Sequence, residues 1–86
     1  MNMGDSVEPF RILLVKLSYG LSTDNVKRVK FLAGLGDAVS EQCKDAIDVF
    51  KELQRLGKIT PNSVEFLKAL MEPINRLDLI TLIGVL

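Results

Sequence analysis

Side chains that commonly perform catalysis are scarce in this sequence of 86 residues, which has no histidine and one cysteine, Cys43. The serine–histidine–aspartate and cysteine–histidine constellations are therefore excluded, as are metal sites built on histidine or several thiolates. Without a histidine partner, Cys43 is predicted to be an inert or partly exposed thiol. No carboxylate pair stands in an apolar setting of the kind that general acid–base catalysis uses. We therefore predict no enzymatic activity, no cofactor and no metal.

The clearest candidate for molecular recognition is Phe31, on the second predicted helix. The apolar residues that define the buried side of this helix by their spacing are Val26, Val29, Leu32 and Ala33. At about 100° per residue, Phe31 falls on roughly the opposite side, next to Lys27 and Arg28. A large aromatic side chain exposed among cations is typical of a contact anchor. The alternative is that the Phe31 ring folds under a neighbouring helix or loop.

An acidic edge is predicted on the fourth helix, off its apolar stripe, and consists of Asp45, Asp48 and Glu52. Two interpretations stay open. The spacings from Lys44 to Asp48 and from Glu52 to Arg55 suit pairs on a solvated helix face. Alternatively, the basic face of one molecule meets the acidic face of the next, and such a contact propagates head to tail into a filament.

Arg76 and Asp78 place opposite charges two positions apart near the start of the last predicted helix. Residues with this spacing do not face each other on a helix, so a simple local pair is not expected. Asp78 is favoured in the first turn by the helix dipole. Arg76 can reach Asp78 if the chain there is not yet helical, or it can find an acid elsewhere.

The elements that position these side chains are predicted to be five or six helices and no strand. The predicted segments are residues 9–19, 22–33, 37–43, 45–56, 60–72 and 75–83. The cluster from Ser22 to Asn25, the Thr60–Pro61 pair and Asn75 are predicted to begin helices. Gly20, Gly34, Gly36 and Gly57 are expected at helix ends. Because the connections are short, successive helices are expected to pack as neighbours in an antiparallel all-α bundle.

Length and composition predict one domain over residues 1–86, with an ordered core at about 8–84. Hydrophobic residues make up 48% of the chain, which is enough for a core. The start from Met1 to Ser6 lacks the basic and apolar regions of a secretory signal, and the apolar run 79–86 is too short to span a bilayer. We expect a cytoplasmic protein, and the apolar end suggests the N-terminal domain of a longer one.

Nucleic-acid binding is the alternative function, through a basic cluster formed by Lys27, Arg28 and Lys30. Lys plus Arg and Asp plus Glu are 11 each, so the formal net charge is zero. Neither nucleic acid nor a membrane is therefore an expected partner, because a neutral domain exerts no broad pull on either.

Several segments together resemble death effector domains. They are Lys30-Phe31-Leu32, residues 45–47 (DAI), residues 50–54 (FKELQ), residues 66–70 (FLKAL) and residues 74–80 (INRLDLI). The resemblance spans residues 8–83 and is closest to the first such domain of apoptotic initiator caspases. The domain of the Fas-associated adaptor is similar, though less so.

This resemblance implies a six-helix death fold with Greek-key topology and no catalysis. Phe31-Leu32 looks like the pair through which members of the family dock on a partner. Arg76 and Asp78 resemble two members of a surface charge triad. The third member is usually acidic, and Asn25 stands at its position, so Asp24 is the alternative.

The resemblance also implies homotypic association, in which a face on the first and fourth helices accepts a face on the second and fifth. The expected partners are other death effector domain proteins: an adaptor, an initiator caspase prodomain or an inhibitory decoy. Self-association is expected as well, and the sequence does not choose among a monomer, a swapped dimer and a filament for the isolated domain. Together these features predict an interaction module that recruits and clusters such proteins in apoptotic caspase-activation signalling.

Overall fold

The structure is a computed structural model that describes residues 7–84. Within this range the chain forms six α-helices and no strand, which confirms the predicted all-α class. The helices are α1 (Pro9–Gly20), α2 (Thr23–Leu32), α3 (Asp37–Gln42), α4 (Ala46–Arg55), α5 (Glu65–Met71) and α6 (Leu77–Gly84). Residues 1–6 and 85–86, which include the polar start and the end of the apolar run, lie outside the described residues.

One apolar core holds the helices together. It contains Phe10, Leu14 and Leu17 of α1, together with side chains from α2, α4, α5 and α6. The buried side chains of α1 recur at helical spacing, so one stripe of this helix faces the interior. The segment between α4 and α5 also contributes, because Ile59 is buried.

The strongest contacts between helices are mostly between elements that are not consecutive in sequence. They join α1 to α4, α1 to α6, α2 to α5 and α5 to α6. Of these pairs, only α5 and α6 are consecutive. Short connections limit where a helix can go, but the match of apolar faces decides which helices pack.

Two predicted helix starts are wrong. Thr60 and Ser63 exchange two backbone hydrogen bonds of 3.1 and 3.0 Å, and Thr60 Oγ1 accepts one from the Asn62 amide. These bonds close a turn, so the chain enters α5 only at Glu65. Asn75 has φ 60°, a left-handed conformation that asparagine tolerates. Its amide donates to the Glu72 carbonyl, so it ends the turn after α5 instead of capping α6.

Candidate protein-interaction surface

The helix α2 presents Phe31 to solvent. A reciprocal capping box fixes its start, in which the Ser22 hydroxyl accepts from the Asn25 amide and Asn25 Oδ1 accepts from the Ser22 amide, both at 3.1 Å. Val29 is the one fully buried residue of the helix. The Phe31 residue is 83% exposed, which confirms the predicted orientation and removes the alternative of a ring folded under its neighbours.

Leu32 was expected on the buried side of α2, and this prediction is wrong, because Leu32 is 41% exposed. The helix ends there, and the residue lies at the rim of a hollow of about 380 Å³. Pro73 and Ile74, from the turn between α5 and α6, line the same hollow beside Phe31. We call Lys27, Arg28, Phe31 and Leu32 the anchor surface. Asp24 also lines this hollow.

The other side of Phe31 borders a larger hollow of about 640 Å³, which reaches the C-terminus of α1 and the N-terminus of α4. Tyr19 lines it and is 86% exposed. Tyr19 was not among the residues predicted from the sequence, although its spacing carries a signal. It follows Ile12 and Val15 by seven and four residues, so these three side chains share a helix face opposite the buried stripe of α1.

Lys30 does not belong to the anchor surface. Its ammonium donates to the Cys43 carbonyl at 2.6 Å and so joins α2 to the end of α3. The predicted basic cluster is therefore reduced to Lys27 and Arg28, and nucleic-acid binding is not favoured. Cys43 itself is buried, and burial raises the pKa of its thiol.

Arg76 links three helix ends. Its guanidinium donates to Asp78 Oδ1 at 3.1 Å and Oδ2 at 2.8 Å, to Asn25 Oδ1 at 3.0 Å, and to the Gly20 carbonyl at the end of α1. Because Arg76 precedes the first residue of α6, the two-residue spacing does not prevent the pair with Asp78. These bonds lower the pKa of the Asp78 carboxyl and raise that of Arg76.

Of the two candidates for the third position of the charge triad, Asp24 and Asn25, it is Asn25 whose side chain contacts Arg76. Asn25 Oδ1 accepts from both Arg76 and the Ser22 amide, so the same atom serves the network and the cap. Asp24 takes part through its backbone, because its carbonyl accepts a hydrogen bond from the Arg28 guanidinium at 3.3 Å. A neutral amide thus occupies the third position of the network.

The residues of the predicted acidic edge of α4 form hydrogen bonds with groups three or four positions away in the sequence. Asp45 caps the helix by accepting from the Asp48 amide at 3.0 Å, and Asp48 accepts from the backbone amide of Lys44 at 2.9 Å. The expected side-chain pair between Lys44 and Asp48 is therefore replaced by a backbone contact. Glu52 pairs with Arg55, whose hydrogen bonds lower the pKa of the Glu52 carboxyl.

The acidic edge is divided between two hollows. Asp48 and Glu52 line a hollow with Val39 and Cys43, on the side of α4 that faces α3. Asp45 lines the large hollow beside Phe31 instead. Asp48 and Glu52 therefore lie away from α1, whereas Asp45 lies near its C-terminal end.

The face shared by α1 and α4 contains a groove of about 310 Å³, which we call the α1–α4 groove. Its lining residues are Arg11, Leu14, Val15, Ile47, Phe50, Lys51 and Gln54. Leu14 and Phe50 are core residues, so they form an apolar floor. The charged residues of the lining, Arg11 and Lys51, are both exposed cations.

Among residues 7–84, no group of three or more His, Cys, Asp or Glu side chains is arranged to hold a metal ion. In the same range, no helix has both the length and the apolar character that crossing a membrane requires.

The described residues form a small six-helix all-α domain with the exposed aromatic side chains Phe31 and Tyr19 on its surface. The family comparison gives the particular family, because the death effector domain model matches residues 10–84. The chain therefore belongs to the death effector domain family, whose members are non-catalytic interaction domains with the death fold. No individual curated protein matches the chain.

Proposed function

We propose that this domain recruits and clusters other death effector domain proteins in apoptotic caspase-activation signalling in the cytoplasm. The partners would be an adaptor, the prodomain of an initiator caspase or an inhibitory decoy. The family supports homotypic association, and the resemblance to the first domain of initiator caspases and to the Fas-associated adaptor supports these particular partners. A second copy of the chain is one more possible partner, and the surface charges decide how well it fits.

The observation that carries this proposal is the exposure of Phe31. An aromatic ring that is 83% exposed keeps most of its apolar area in contact with water, and a partner that covers it recovers about 25 cal/mol for each Å². Leu32 extends the apolar area, while Lys27 and Arg28 supply charge at its border. Central apolar anchors with a polar rim are typical of the residues that dominate binding energy.

Association of this kind needs no catalytic group. Proteins that each carry such a domain are held at a high effective concentration, so weakly active protomers meet far more often than they do when free. The proposed contribution of the domain is therefore proximity, and its residues act by binding alone.

The test is binding to immobilised death effector domains of an adaptor and of an initiator caspase. We expect the wild-type domain to bind at least one of them, and Phe31→Ala to weaken that binding by about thirtyfold, as at a binding hot spot. The matched control is Leu56→Ala, which truncates another exposed apolar side chain at the end of α4. Circular dichroism should show an unchanged helical content in both variants. Equal binding by wild type and Phe31→Ala would contradict the proposal.

A further inference from the structure

The charges of the domain are unevenly placed, although they sum to zero. Lys27 and Arg28 border Phe31, both are exposed, and they outnumber Asp24, the carboxylate that lines the same hollow. The α1–α4 groove carries Arg11 and Lys51, with no carboxylate in its lining. The anchor surface and the groove are therefore both positive at their borders.

Two further hollows do not offer the anchor surface a negative site either. In the hollow between α3 and α4, Asp48 and Glu52 are balanced by Lys51 and Arg55. The large hollow beside Phe31 has three lysines and two aspartates in its lining. None of the four hollows described above is net negative, so none of them attracts the Lys27 and Arg28 of a second copy.

We propose that the positive charge of Arg11 and Lys51 selects what binds in the α1–α4 groove. The selected occupant is an exposed apolar side chain that is flanked by carboxylates and belongs to a different death effector domain. The Phe31 anchor of a second copy is the disfavoured occupant. This inference rests on the proposed function and specifies the charge of the surface that the partner presents. Juxtaposed like charges discriminate against a partner that is otherwise complementary in shape, and opposite charges favour association with the correct one. Zero net charge does not prevent this, because at physiological ionic strength exposed charges more than about 8–10 Å apart are largely screened from each other.

The chain itself supplies the probes for a charge-swap experiment. The variant Lys27→Glu/Arg28→Glu converts the anchor into one flanked by carboxylates, and Arg11→Glu/Lys51→Glu converts the groove into an acidic one. Self-association of each variant, of the wild type and of the quadruple variant is measured by sedimentation at low salt. We expect each double variant to self-associate about tenfold more tightly than the wild type, because several exposed like-charge contacts become opposite ones.

The quadruple variant should return to weak self-association, since both surfaces are then negative. Adding Phe31→Ala to either double variant should abolish its increase in self-association. Salt near 1 M should reduce the same increase by screening the charges. The control Lys16→Glu/Lys58→Glu makes the same change of net charge away from both surfaces and should leave self-association as in the wild type.

Three results would overturn the inference: tight self-association of the wild type at low salt, a double variant no tighter than the wild type, or a quadruple variant as tight as the doubles. Failure of the proposed function looks different. In that case neither the wild type nor any charge variant binds a death effector domain of the adaptor or of the caspase. Circular dichroism of each variant verifies that the fold is retained.

Discussion

The helices α2 and α4 have ten residues each and are stabilised in different ways. α4 buries Ala46, Val49, Phe50 and Leu53, whereas α2 buries Val29 alone. Polar contacts at its two ends make up the difference for α2. The capping box and Arg76 fix its start, and the Lys30 ammonium fixes its second half to the Cys43 carbonyl.

This contrast explains how a small domain can expose a large aromatic side chain on a well-defined helix. A helix whose stability comes from packing must turn most of its apolar residues inward, as α4 does with Phe50. A helix tied down at its ends can leave its outer side uncovered. The difference is largest between two phenylalanines, because Phe50 of α4 is 1% exposed and Phe31 of α2 is 83% exposed.

The largest expected effect of a single change is at Phe50. Phe50→Ala removes a fully buried ring and leaves a cavity, so we expect the free energy of unfolding to fall by about 3–5 kcal/mol. Since small domains are stable by about 5–15 kcal/mol in total, this variant should be close to unfolded at 37 °C. Urea denaturation followed by circular dichroism measures the change. A loss below about 1 kcal/mol would contradict the assignment of α4 to the core.

A smaller loss is expected at Arg76, which ties α2 to α1 and α6. Arg76→Gln cannot reproduce the contacts with Gly20, Asn25 and Asp78 together, so we expect a clear decrease in Tm. The matched control is Arg55→Gln, because Arg55 is also paired with an acid but is 66% exposed, against 26% for Arg76, and its pair lies within a single helix. Surface pairs of this kind contribute little. Equal decreases in Tm would show that the Arg76 network is only a local pair.

Much of the fold follows from local signals in the sequence. The periodicity of α1 and α4 and the glycines that follow helices, such as Gly57 with φ 75°, reflect interactions between residues three or four apart. The exposure of Phe31 followed from the same periodicity. These features need no knowledge of the neighbouring helices, and for this reason they could be predicted.

The parts that were missed depend on contacts between residues far apart in sequence. Arg76 meets Asn25 across 51 positions, and this pair was indicated by the family resemblance alone, because no spacing rule reveals it. The side of α4 on which Asp48 and Glu52 lie became clear only once α3 was placed beside them. At Thr60 the failure was local, since threonine followed by proline suits a turn as well as a helix start.

An intermediate effect is expected at the start of α2. Ser22→Ala removes the hydroxyl that accepts from the Asn25 amide, and losses of this kind cost about 1 kcal/mol. Ser63→Ala is the control, because Ser63 is also exposed and its hydrogen bonds with Thr60 are made by its backbone. Urea denaturation of both variants measures the difference. If Ser22→Ala is no less stable than the control, the ends of α2 are not what holds it.

A pH dependence is expected from Asp78. Its hydrogen bonds with Arg76 lower the pKa of the carboxyl in the folded state. The stabilisation is therefore fully present above the ordinary aspartate pKa of about 3.9 and is lost as the pH falls through the lowered value. The Tm difference between wild type and Asp78→Asn should be constant near neutral pH and narrow below about pH 4. A difference independent of pH would mean that the charge of Asp78 does not contribute.

The smallest effect on stability is expected at Phe31, and it completes the comparison with Phe50. The ring already contacts water in the folded state, so Phe31→Ala should change the free energy of unfolding by no more than about 0.5 kcal/mol. The same urea measurement made on Phe50→Ala tests this. A loss of several kcal/mol would mean that the ring is packed in solution, and the anchor surface would then no longer be free for a partner. A negligible loss together with weakened binding assigns the role of Phe31 to recognition, because the fold does not need the side chain.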